Sequence, residues 1–248
     1  MTVGIGINCS DGIVLACDSL TTFGRGVPVL RYTNKVHLLR HDGLEHPVAV
    51  VAAGITTYFN KFQDRACRKA IEIASKATGR KLDIVDFCEE VCEPVISSLY
   101  KEYVIDRYRF FGAPVVDYGL SLIVAGATEA GELRSYHVHA EGLTERIEEY
   151  GTTGSGAAYA ELFLRYLLSS EERCAESAGR AAAYAIKGVE LMDPNVAGDT
   201  NIMVISFKDS QPAYEDFPKE SRPEKARETM EQLLRRIASE IEQLVVKD

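Results

Sequence analysis

The run Val48-Ala49-Val50-Val51-Ala52-Ala53 is apolar at every position. A strand of this kind is apolar on both faces, so it satisfies itself only when covered by a layer on each side. It is paired in sequence with 34–40 across the turn Arg40-His41-Asp42-Gly43. A second hairpin is expected at the start of the chain, where 3–9 and 12–18 run apolar or alternate around Ser10-Asp11-Gly12. Helical spacing then takes over from Tyr58 to about Lys76, and again from Ile84 to Arg107, with Pro94 as a kink.

The same order then repeats. Strands are expected at Tyr118–Ala127 and Leu133–Ala140 around Glu129-Ala130-Gly131, and a short one at Thr144–Tyr150 leads into Gly151-Thr152-Thr153-Gly154-Ser155-Gly156. Helices follow at Ala157–Leu168 and Glu171–Leu191, and a strand at Asn201–Phe207 closes the core. Strands, two helices, strands, two helices and a strand describe two sheets packed face to face under helix pairs. The expected fold is therefore α+β, a four-layer αββα sandwich.

The chain has 248 residues, 46% of them apolar, enough for one large domain over residues 1–207. Residues 208–222 are charged and hold two prolines, as a connector would. From 223 to 248 a helix is expected, with Met230, Leu233, Leu234, Ile237, Ile241 and Leu244 on one stripe. That stripe packs either on its own subunit or on a neighbouring one, and the residues do not choose.

A net charge of −9 argues against nucleic acid or an anionic membrane surface as a partner. No apolar run approaches the roughly 18 residues of a membrane span. The six cysteines lack CxxC spacing and no signal-like segment opens the chain, so a reducing, cytoplasmic setting is expected. No metal site is expected. Cys88 and Cys92 read as buried thiols, and His137 and His139 as a surface strand pair without a third ligand.

Chemistry enters at Thr2. If Met1 is removed, one residue carries both a hydroxyl nucleophile and an α-amino base, whose reference pKa of about 7.7–8.0 suits neutral pH. Many chains begin Met-Thr, so the weight lies in the surroundings. Asp18 ends the second strand and Lys35 begins the third, and a carboxylate beside a lysine keeps it charged in a partly buried site. Taken singly, Asp18 also reads as a turn cap before Ser19, Lys35 as a solvated lysine and Ser155 as a helix N-cap. Gly54, at a strand end, reads equally as a tight turn or as a backbone N–H free to approach an alkoxide.

The segments Thr2-Val3-Gly4-Ile5-Gly6-Ile7 and Asp11-Gly12-Ile13-Val14-Leu15-Ala16-Cys17-Asp18 resemble the opening of proteasome β-subunits, members of the N-terminal nucleophile hydrolase superfamily. The resemblance extends through Lys35-Val36, Ala53-Gly54 and Gly154-Ser155-Gly156 over roughly residues 2–207, more approximately between 60 and 145. Within the family, the length and the bare Met-Thr opening are similar to the ancestral bacterial branch called Anbu.

The resemblance implies Thr2 as nucleophile and Asp18 and Lys35 as its charged support. It implies Gly54 as the oxyanion donor, and Ser155 with Asp193 orienting the amine. Thr21 and Thr22 would flank an extended peptide, and Ala52 would floor the first specificity pocket. Two departures stand out: Leu20 replaces a common arginine, and Asp193 lies one residue out of register with Ala197 where a serine is usual.

The implied activity is peptide hydrolysis without a cofactor, in a homo-oligomeric ring or spiral. The implied partners are an unfolded protein or peptide as substrate and a separate ATP-driven unfoldase, since this chain has no GxxxxGK[ST]. Two other readings stay open: a non-catalytic structural subunit, and a narrow amidohydrolase or peptide transferase.

Overall fold

The computed structural model describes residues 2–23, 29–76, 80–111, 119–168 and 173–245. Met1 therefore lies outside the described residues, as do 171–172 of the expected helix at Glu171–Leu191.

The opening hairpin forms as β1 (Val3–Cys9) and β2 (Gly12–Asp18). It sits at the centre of a five-stranded antiparallel sheet in the order β10-β1-β2-β11-β12, with β10 at Tyr150–Gly154, β11 at Thr200–Lys208 and β12 at Gln211–Asp216. The second sheet has the order β5-β6-β7-β8-β9, comprising Val36–Leu39, Val48–Ala53, Ser121–Ala127, Leu133–Val138 and Thr144–Arg146. Ile13, Leu15 and Cys17 of the first sheet meet Val36, Ala49, Val51 and Ile123 of the second in a buried layer. The expected face-to-face packing is present, with β6 buried along its length except for half-buried Ala52.

Each outer face carries helices. Over the second sheet lie α1 (Thr56–Lys76) and a continuous helical run from 84 to 111. The run alternates α2 (Ile84–Asp86), a π-helical segment (Phe87–Cys92), α3 (Glu93–Tyr100), a second π-helical segment (Lys101–Ile105) and α4 (Asp106–Phe111). Pro94 is the second residue of α3, directly after the first π-helical segment, so its missing N–H falls where the ladder already changes register. Over the first sheet lie α5 (Ala157–Leu167) and α6 (Ala175–Met192), and α7 (Ala226–Val245) packs against α6. The fold is an α+β four-layer αββα sandwich. No helix among the described residues is long and apolar enough to cross a membrane.

Several details differ from the sequence reading. Residues 144–150 do not form one strand: the chain leaves the second sheet after β9 and enters the first as β10, pairing with β1 from Val3↔Gly154 to Ile7↔Tyr150. A short ribbon, β3 (Leu20–Phe23) with β4 (Val29–Tyr32), precedes Lys35 and was not anticipated. Residues 208–222 are not simply a connector. β12 extends the first sheet beside β11, with Pro212 tolerated on its outer strand, and a 3₁₀ turn follows at Lys219–Ser221.

The two readings of the C-terminal stripe divide along the helix. Met230 is buried beside Phe163 of α5 and Gly188 of α6, and Leu234 packs on the same cluster, so the first half of α7 belongs to its own subunit. Leu233 and Ile237 stay exposed.

Candidate active site

Thr2 is held immediately before β1, and Asp18 at the end of the adjacent β2, because the tight turn at Ser10-Asp11 brings both strand ends to one edge. Lys35 immediately precedes β5 in the facing sheet, so its side chain crosses the layer between the sheets. Lys35 Nζ donates to Thr2 Oγ1 at 2.8 Å and to both Asp18 carboxylate oxygens at 3.0 Å. All three residues are buried.

The carboxylate is further supported by the backbone. Val3 N–H donates to Oδ1 at 3.0 Å and Leu20 N–H to Oδ2 at 3.1 Å. Burial pushes the Asp18 carboxyl above its ordinary value, against the opposing pull of the Lys35 ammonium and the Val3 N–H. Bidentate pairing with a cation and two amide donors is the arrangement that keeps such a buried carboxylate charged. Neighbouring Cys17 is held as an unreactive thiol, since burial pushes it up to about 12.

Ser155 follows β10 and precedes α5. Its hydroxyl donates to Asp193 Oδ2 at 2.9 Å, while Asn195 donates through its backbone N–H (2.9 Å) and side chain (2.8 Å) to Oδ1. Burial alone raises the Asp193 carboxyl, but these Asn195 and Ser155 hydrogen bonds outweigh it and hold the group below its ordinary value. The one-residue offset of Asp193 in sequence is thus absorbed by the loop, and Ser155 and Asp193 meet. The pair adjoins Thr2 through Gly154, whose α-carbon faces the Thr2 carbonyl so closely that an added Cβ would lie 2.1 Å from that oxygen.

Gly54 directly follows β6 with φ of +132°, a backbone conformation that disfavours side chains, and an added Cβ would lie 2.5 Å from Gly119 O. Preceding Ala53 approaches Gly154, which places this strand end beside Thr2. Thr21 and Thr22 lie on β3, and Thr21 Oγ1 shares a 2.7 Å hydrogen bond with Thr33 Oγ1. Ala52 is half-buried and packs toward the α1 layer with Ile55. Thus Thr2, Asp18 and Lys35 are joined directly, Ser155 and Asp193 form a second pair beside them, Gly54 follows the neighbouring strand β6, and Thr21 and Thr22 lie within β3 shortly after Asp18.

Asn195 was missed by the sequence reading. Its signal was the Asp193-Pro194-Asn195 turn, where an Asx-type side chain closes on a nearby residue. His137 and His139 do share a face as expected, with ring centroids 4.1 Å apart, but His137 is not a simple surface residue. It is half-buried and bonds Ser121 Oγ at 2.9 Å, which in turn bonds Thr153 Oγ1 at 2.7 Å across the two sheets.

The sequence profile of the proteasome subunit family matches residues 2–206. No curated protein sequence matches the chain. Among solved structures, the Gly-1 mutant of Anbu from Hyphomicrobium sp. strain MC1 is similar with a TM-score of 0.71 at 13% identity, covering 98% of this chain and 100% of that one. Anbu, an ancestral β-subunit, from Yersinia bercovieri gives 0.68 at 16% identity, covering 97% of each chain. The helical assembly of the Anbu complex from Pseudomonas aeruginosa gives 0.67 at 17% identity, covering 97% of this chain and 96% of that one. At these identities the likeness is one of fold.

Proposed function

This chain belongs to the proteasome subunit family, and from that membership we propose that it is a threonine-type peptidase acting through Thr2 once Met1 is removed. The observation that carries the reading is the buried Lys35 ammonium, hydrogen-bonded at once to Thr2 Oγ1 at 2.8 Å and to the Asp18 carboxylate at 3.0 Å. A hydroxyl facing a charged donor is stabilised as it develops alkoxide character, and the freed Thr2 amine accepts its proton, directly or through a water. Attack on a peptide carbonyl gives a tetrahedral oxyanion, to which the Gly54 N–H donates. Collapse expels the amine of the departing peptide and leaves an ester on Thr2, and water then releases the acid.

Ser155 and Asp193 orient the amine in this scheme. The β3–β4 ribbon has only two strands among the described residues, so β3 retains an edge on which an extended peptide can pair beside Thr21 and Thr22. Main-chain pairing of this kind tolerates many sequences, and Ala52 leaves room for a bulky apolar side chain in the first pocket.

A tolerant peptidase of this type works inside an enclosing homo-oligomer, of the ring or spiral kind, in the cytoplasm. The helical assembly of the related Anbu complex and the exposed stripe Tyr159, Leu162 and Tyr166 on α5 support such a subunit contact. Unfolded protein would be supplied by a separate ATP-driven unfoldase.

The test is covalent labelling of the purified protein with a threonine-reactive β-lactone. One adduct per chain on Thr2, lost in Thr2→Ala, is expected; no adduct on a chain that begins at Thr2 contradicts the reading.

A further inference from the structure

Four consecutive residues leading into β11 are each tied down. The Ala197 carbonyl accepts the Leu20 N–H at 3.0 Å, and the Asp199 N–H donates to Ser19 Oγ at 2.9 Å. Both bonds join this loop to the residues directly after Asp18. The other two run outward: Lys187 Nζ on α6 donates to Gly198 O at 2.6 Å, and an Arg222 guanidinium nitrogen donates to Thr200 O at 2.7 Å. Thr200 is also the strand partner of Asp18.

Lys187 is itself fixed by Glu190 at 2.8 Å, and Glu190, largely buried, also receives Arg227 of α7 at 3.3 Å. Arg222 follows the 3₁₀ turn and donates to Phe217 O as well. Residues 217–227 lie beyond the segment matched by the family profile, yet they reach back to the backbone that frames Asp18 and continues from Asp193.

We infer that Lys187 and Arg222 are positioning residues for the site. They clamp residues 197–200 against 18–20, so that the C-terminal extension sets the placement of Asp18 and, through it, of Lys35 and Thr2. Two strong donors to carbonyls on either side of Asp199 leave the loop one arrangement, and small displacements of a charged support are costly to a reacting hydroxyl. The kinetic part of this inference rests on the peptidase reading; the structural part does not.

The experiment uses the full chain with Lys187→Met, Arg222→Met and the pair, and Arg180→Met as an exposed control on α6. Amide hydrogen exchange is read at Leu20 and Asp199, and β-lactone labelling is followed to saturation. Exchange at those two amides is expected to accelerate about tenfold or more while Ile5 and Ile186 keep their protection, with the maximal labelling rate falling about tenfold at unchanged half-saturation. Lys187→Arg restores both, and Arg180→Met changes neither.

Unchanged exchange at Leu20 and Asp199 overturns the inference, as does loss of protection spread equally over β1 and α6. Local exchange without a fall in labelling overturns it as well. If the parent protein takes no label the peptidase reading fails, and exchange alone then decides the clamp; if the double variant does not fold, the single substitutions carry the same test.

Discussion

Ser155 Oγ and Asp193 Oδ2 stand 2.9 Å apart although 38 residues separate them in the chain. One follows a strand that pairs with β1, and the other caps the end of α6. Their meeting beside Gly154 gives the Thr2 end of β1 a fixed anionic neighbour, and that relationship has a measurable consequence in acid.

Asp193 sits below its ordinary pKa of 3.8 in the fold, so its ionised form contributes stability above that pH and the contribution is lost as pH falls through the folded value. Asp193→Asn is expected to flatten the acid limb of a denaturation-stability profile below about pH 4. Ser155→Ala should preserve the fold and slow labelling of Thr2 by about tenfold or more.

Lys35→Met leaves the Asp18 carboxyl buried without its cation. Breaking such a pair costs about 3–5 kcal/mol. The carboxyl, already raised by burial, is raised further without the ammonium, so the folded state binds a proton that the unfolded state releases. Stability of this variant therefore declines as pH rises above the ordinary carboxylate range, over a wider window than in the parent. Denaturant titrations at pH 5 and pH 8 check this: the variant is expected to lose more of its stability at pH 8 than the parent does, together with all labelling.

Gly54→Ala meets two obstacles, a φ of +132° and the Gly119 carbonyl 2.5 Å from the new Cβ. A loss of about 1–3 kcal/mol in unfolding free energy is expected, with the turn after β6 displaced and labelling abolished. A variant as stable and as reactive as the parent removes Gly54 from the site.

His137 bears on pH in the opposite sense to Asp18. Burial, aided by neighbouring His139, lowers its pKa from 6.5 to about 4, so the unfolded chain binds its proton first as pH falls. Stability should drop between about pH 6.5 and pH 4, and His137→Gln should reduce that drop while retaining a partner for Ser121. Thermal denaturation across that range is the measurement.

The layered core was legible because its strands are apolar over most of their length: Val3–Cys9, Gly12–Asp18 and Val48–Ala53 leave few alternatives to burial between layers. Thr2, Asp18 and Lys35 followed, since strand ends and a family resemblance fixed their places. The ribbon of β3 and β4 was hidden by half-buried Thr21 and exposed Arg31 and Tyr32, which carry no burial pattern. β10 was not read as a strand because Gly151 and Gly154 break its apolar pattern, yet Ile147 packs where a Gly151 side chain would stand. Lys187 and Arg222 act on backbone carbonyls, and a carbonyl leaves no trace in sequence.

The central claim is that Thr2 presents a free amine and a reactive hydroxyl over the Lys35–Asp18 pair. Intact mass of the purified protein before and after β-lactone treatment tests it most directly. A mass short by one methionine, rising by one lactone equivalent that maps to Thr2, is the expected result. A chain that keeps Met1 at full occupancy and takes no label contradicts it.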